Sequence, residues 1–243
     1  MAVTFVGSGA LAVNATVTTQ SISSHANTAV DDILIAQIAN RGGASVVISP
    51  PDGTWTEIIQ GHFNSGFDHA LYWKRATAAG VQAFTFSKAV DDNVVFGGVI
   101  SSWRGCPTAG SPLDATAATQ SHNATSDNVT FTAFDPTNTD SHVIFMAYYG
   151  NDTTTFAAAM SSDTNPDCTI RYDEETATGS DISLACTSGD TTDGANIASR
   201  TWASASGADF YNVGVVFALA AATVTPKSDP PFYRHPMRNH LVR

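Results

Sequence analysis

The chain has 243 residues, with 11 Lys and Arg against 22 Asp and Glu, a net charge of −11 and a pI near 4.7, which excludes a body that grips nucleic acid through clustered cations. Hydrophobic residues at 43% supply a large core, while charged residues at 14% leave the surface to Thr, Ser, Asn and Gly. Only three Lys (Lys74, Lys88, Lys227) and three Glu (Glu57, Glu174, Glu175) are present, too few to clothe exposed helix faces, so the abundance of Thr and Val points to an all-β chain.

In chain order, the opening MAVTFVGSGALAV lacks the charged start and cleavage pattern of a secretory signal. Ile33 to Ala39 is a continuous apolar run closed by Arg41-Gly42-Gly43, the pattern of a fully buried strand. Val46 to Ser49 stops at Pro50-Pro51-Asp52-Gly53, where proline pre-sets φ for a turn. Thr54 to Gly61 and Ala70 to Thr77 read as strands around a polar loop, HFNSGFDH. Phe84 and Phe86 alternate with Thr85 and Ser87, and Val129 and Phe131 with Thr130 and Thr132, as in strands with one wet face. Val94 to Trp103 and Val143 to Tyr149 are nearly continuous apolar stretches suited to central strands.

Helix signals are weak: Ala115 to Ala118 and Phe156 to Met160 allow a turn or two at most, and Ala115 to Asn128 reads as a surface loop. Val213 to Val224 is shorter than the roughly 20 residues that cross a bilayer and reads as a buried final strand. About ten to twelve strands of ordinary length predict two antiparallel sheets packed face to face, jelly-roll-like, and no internal repeat at a fixed period is evident.

The three cysteines, Cys106, Cys168 and Cys186, form no CxxC pair. Cys168 and Cys186 flank a hairpin predicted around Thr178-Gly179, where a disulfide needs a particular register; three reduced thiols are the plain alternative. No GxSxG elbow, phosphate loop or HExxH motif occurs. His62, Asp68 and His69 sit together in the predicted loop, best read as solvated, and Asp173-Glu174-Glu175 and Asp190 with Asp193 lack the ligand spacing of a calcium loop. No catalytic residue, cofactor or metal is expected. Trp73 and Trp103 end apolar strands, where they serve either the core or stacking against a sugar ring.

The last eighteen residues, PKSDPPFYRHPMRNHLVR, differ from the rest. They carry four Lys and Arg against one Asp, net +3, while the remaining body holds 7 against 21, net −14. The chain therefore divides into a body, 1–225, and an arm, 226–243. Pro226, Pro230, Pro231 and Pro236 favour extended backbone, and Phe232, Tyr233, Met237 and Leu241 alternate with Arg234, Arg238 and Arg243. Such a peptide can add to a sheet edge or lie in a groove on a partner.

From Asp31 to Ala115 the succession DILIAQIANRG, PPDGTWTEI, ALYWKRATA, AFTFS, VVFGGVISSWRG and PLDA resembles a pattern in tailed-bacteriophage virion proteins and related bacterial proteins of poorly defined role. The resemblance covers under half the chain and brings no active site. It implies a non-enzymatic tail, fibre or capsid-decorating component assembled in the host cytoplasm. A capsid decoration subunit docking through its arm is the leading expectation; the alternative is a tail or receptor-binding module recognising host-surface glycan. The expected partners are a major capsid or tail protein and further copies of the chain, with a trimer as the oligomer, and neither nucleic acid nor membrane.

Overall fold

The computed structural model describes residues 2–42, 45–63, 66–90, 94–123, 128–150, 156, 160, 166–176, 182–191, 196–203 and 211–223. Among them are sixteen strands and no helix: β1 (Thr4–Ser8), β2 (Ala12–Asn14), β3 (Thr19–Ser23), β4 (Ile33–Asn40), β5 (Ile48–Ser49), β6 (Thr56–Phe63), β7 (Phe67–Arg75) and β8 (Ala83–Lys88), followed by β9 (Phe96–Arg104), β10 (Thr119–Asn123), β11 (Val129–Phe131), β12 (His142–Tyr149), β13 (Thr169–Glu175), β14 (Ser183–Asp190), β15 (Arg200–Trp202) and β16 (Asn212–Leu219).

All pairings are antiparallel, as the composition predicts. One inner sheet has the order β1-β9-β4-β7-β6, with β2 beside β1 along the same edge of β9; the other has the order β10-β16-β12-β14-β13. They pack face to face through Ile35, Leu71 and Trp103 on one side and Met146, Tyr148 and Phe217 on the other. A small outer sheet, β3-β8-β5, covers the far face of the first with Ile22 and Phe86, and β11 with β15 covers the far face of the second with Phe131 and Trp202. Four layers therefore stack, outer, inner, inner, outer.

The two-sheet sandwich expected from the sequence is present, and it occurs twice. Counting β2 to β9 as strands one to eight, the inner sheet runs 1-8-3-6-5 and the outer sheet 2-7-4, a jelly-roll order except that strand five, β6, lies beside strand six in the inner sheet instead of completing the outer one. In the second half, β10, β16, β12, β14 and β13 repeat the inner order of β2, β9, β4, β7 and β6. Register makes the correspondence residue by residue. Ile33 pairs with Trp103 and Arg75, and His142 pairs with Leu219 and Asp190. Even the irregularity repeats: the bulge between Glu57 and Ile59 lies opposite Tyr72 and Leu71, and that between Ile170 and Tyr172 lies opposite Thr187 and Cys186.

No fixed period betrays this repeat because its spacing drifts. From Ile33 to His142 is 109 residues, from Arg75 to Asp190 is 115, and from Trp103 to Leu219 is 116.

Polar groups also join the halves across the central interface. The buried Gln37 donates from Nε2 to the Ala147 carbonyl (2.8 Å) and accepts from the Tyr172 hydroxyl (2.7 Å), while the Tyr148 hydroxyl donates to the Ala70 carbonyl (3.0 Å). These bonds satisfy groups that would cost about 1–3 kcal/mol each if left unpaired in the core.

Gly98 and its counterpart Gly214 let the outer layers approach. A Cβ on Gly98 would collide with the Gln37 carbonyl of the neighbouring β4 and press on Ile22 of β3, and one on Gly214 would collide with the Thr130 carbonyl of β11. Gly214→Ala is therefore expected to destabilise the fold by about 1–3 kcal/mol, read as a lower thermal midpoint, whereas Gly53→Ala, with open space around it, leaves the midpoint unchanged.

Candidate functional site

The arm residues singled out by the sequence, Phe232, Tyr233, Arg234, Met237, Arg238, Leu241 and Arg243, lie outside the described residues, which end at Thr223. The point of departure is defined. After β16 the chain is held by Ala220 N donating to the Pro112 carbonyl and by Ala222 N donating to the Gly105 carbonyl, both at 2.8 Å. Beside this exit opens a cleft of about 800 Å³, walled by the segment Asn138–Asp140, by Asp190 and Thr191, and by Ala220–Thr223.

The wall is rigid for a chemical reason. Asp114, nearly fully buried, accepts from the backbone N–H groups of Thr116 (3.1 Å), Thr137 (2.8 Å) and Asn138 (3.1 Å), from Asn138 Nδ2 (2.8 Å) and from the Ser141 hydroxyl (2.6 Å). Burial by itself raises its pKa, but these donors outweigh that effect and hold the carboxyl well below the usual range. Thr191 closes the other side, donating from its backbone N–H and its hydroxyl to the Ser141 carbonyl. Two acids face the cleft: Asp140 is exposed, and Asp190 is 62% exposed although one oxygen is engaged by His142.

That engagement forms a relay. An ionised Asp190 can only accept, so His142 donates from Nδ1 (2.6 Å) and its Nε2 accepts from the Ser188 hydroxyl (2.9 Å). Burial lowers the His142 pKa and Asp190 partly restores it, leaving the ring favoured as neutral. The connectivity is that of an Asp-His-Ser triad, but Ser188 is fully buried and its oxygen accepts from Arg171 Nε (2.7 Å). A substrate carbonyl has no approach to that oxygen. The relay braces β12 against β14 beneath the cleft.

His62, Asp68 and His69 are not on a solvated loop. β6 runs to Phe63 and β7 starts at Phe67, so all three stand on strands. Asp68 is fully buried, 2.6 Å from His62 Nδ1, and accepts from Asn40 Nδ2 (3.0 Å) and Val46 N (3.2 Å). His69 points to the opposite face, where its Nε2 meets Gln120 Oε1 of β10 at 2.7 Å, and its Nδ1 is buried without a partner. Desolvation drives its pKa down to about 4. Among the described residues no group of three or more His, Cys, Asp or Glu could hold a metal ion.

Of the predicted calcium-type acids, Asp173 Oδ2 accepts from Phe156 N (2.9 Å), burial raises the pKa of both Asp173 and Glu174, and Asp193 lies outside the described residues. The hairpin of β13 and β14 forms as expected, although Thr178-Gly179 at its turn lies outside the described residues. Its register sets Cys186 opposite Tyr172, and all three cysteines are free thiols. Trp103 is fully buried and offers no stacking platform, while Trp73 is partly buried and packs against the central core.

Sequence reasoning missed Asp114 and the His142 relay. The available signals were local: Asp114 precedes Thr116 as in a side-chain-capped turn, and His142 directly opens an apolar run. Comparison with family models, curated proteins and solved structures gives no match.

Two stability tests follow from this chemistry. Asp114→Ala is expected to cost about 3 kcal/mol at neutral pH by urea unfolding, because several buried donors lose their acceptor. Since the folded pKa is depressed below 3.8, the advantage over Asp114→Ala is full above that value and shrinks as pH falls below it. For His69 the unfolded chain binds a proton near 6.5 and the folded chain near 4, so stability falls as pH drops through that window, by up to about 1.4 kcal/mol per unit. His69→Gln should flatten that dependence in urea midpoints measured between pH 7 and pH 5.

Proposed function

We propose that this chain is a non-enzymatic structural protein of a virion, a capsid decoration or cement subunit whose body is a tandem jelly roll and whose C-terminal arm docks on the shell or on a neighbouring copy. The observation that carries this reading is the single, braced exit at Thr223, from which twenty further residues extend with a net basic, apolar and proline-rich composition, in contrast to the acidic body. A body whose two inner sheets are covered on both faces offers its contacts through edges, loops and the arm rather than through an open pocket in the core. Jelly rolls are a common architecture of capsid shells, which agrees with the sequence resemblance to tailed-phage virion proteins, although one fold serves many functions.

The alternative of a glycan-binding tail module draws on exposed loops and aromatics, and of the two candidate tryptophans Trp103 is fully buried while Trp73 is partly buried against the central core. The decoration reading is therefore preferred, with a major capsid protein as partner, a homotrimer as the oligomer and the virion as the location.

Deleting Pro226–Arg243 is expected to leave the thermal midpoint of the body within about 2 °C of the full chain while abolishing its incorporation into particles. Normal incorporation of the truncated chain, measured by particle composition, would sink the proposal.

A further inference from the structure

The two halves are near equivalents, and their ends can be compared position by position. In the first half the end is closed by two arginines. Arg104 grips Asp32 with both Nε and Nη2 (2.8 Å each) and reaches the Asn27 carbonyl (3.2 Å). Arg75 donates to the Asp31 carbonyl and to the carbonyl of Gly110 in the outgoing chain, both at 3.3 Å. The chain thus leaves the first half along a surface that carries its own cations.

The second half lacks them. Register places Asp190 where the first half has Arg75, and Ala220, directly after Leu219, where it has Arg104. Asp140 corresponds to Asp31, two residues before the paired position in each half. Where the first half has two guanidinium groups, one on the Asp32 carboxylate and one on backbone carbonyls, the second has two carboxylates and the open cleft of about 800 Å³. Chain exit and cleft coincide, since Ala220–Thr223 form one wall.

We infer that the proximal arm, Pro226–Asp229 with Lys227 at its centre, seats in this cleft of its own chain, its ammonium group replacing the missing arginines between Asp140 and Asp190. Reach permits it: Lys227 is four residue steps beyond Thr223, about 14 Å when extended. Size sets the limit, because a cleft of this volume holds a drug-sized ligand and therefore only a few residues of peptide. The remainder, Pro230–Arg243, is left to project from one fixed point toward a partner. This rests on reading the arm as a docking segment, and it adds how the arm is aimed.

The test is zero-length carbodiimide coupling of the full chain, with equal amounts of light and heavy isotope-labelled protein mixed beforehand. Lys74 and Lys88 are buried, which leaves Lys227 as the lysine amine to follow. The expected product is an amide between Lys227 and Asp140 or Asp190 within one isotopic chain, reduced at least tenfold by 1 M salt and by the Asp140→Asn, Asp190→Asn double variant. Amides joining light to heavy chains, or no Lys227 amide to either acid, would overturn the seat. If the double variant fails to fold, the salt and isotope results decide alone. Particle incorporation is scored separately, so a failed seat with arm-dependent incorporation refutes this inference only, and the reverse refutes only the decoration role.

Discussion

Everything in this molecule follows from strands that are apolar on both faces. All eight residues of β4, of β12 and of β16 are buried, so neither inner sheet can present a face to water. Each must be the middle of a stack. The smallest solution is for the two inner sheets to cover one another and for a small outer sheet to cover each remaining face, which is the four-layer order observed. Burial at this density leaves little slack, and Gly98 and Gly214 mark where the outer layers come closest.

A repeated unit placed face to face with itself behaves like a dimer joined by a linker. Its central contact is apolar, but it is made specific by polar groups with satisfied partners, Gln37 with Tyr172 and Ala147, and Tyr148 with Ala70. Sliding one inner sheet over the other by a residue would leave those groups unpaired in a dry interior. At one rim His69 and Gln120 make a comparable link between β7 and β10, and at the other Arg171 lies over the Phe5 ring.

The two halves differ at their chain exits. The first half ends in a surface neutralised by Arg75 and Arg104, the second in an acidic cleft whose wall is fixed by Asp114. The Asp190-His142-Ser188 relay shows why connectivity alone does not make an enzyme: a nucleophile needs access, and the Ser188 oxygen is buried and bound to Arg171. Its role is structural, holding Asp190 at the rim of the cleft.

The sequence by itself determined the strand class and the central strands, because apolar periodicity and Thr and Val enrichment are local signals that survive without tertiary context. It also placed Trp103 and the β13–β14 hairpin within reach of correct reading. Only the tertiary structure decided that the sandwich is doubled, since the spacing between equivalents drifts from 109 to 116 residues and few identities remain to align. It alone turned His62, Asp68 and His69 from a polar loop into strand positions, with Asp68 and His69 buried, because burial depends on what another segment covers. The cleft is likewise a tertiary fact: Asp140 and Asp190 are distant in sequence and line it together because β12 pairs with β14, while Asp114 fixes the adjoining Thr137–Ser141 segment.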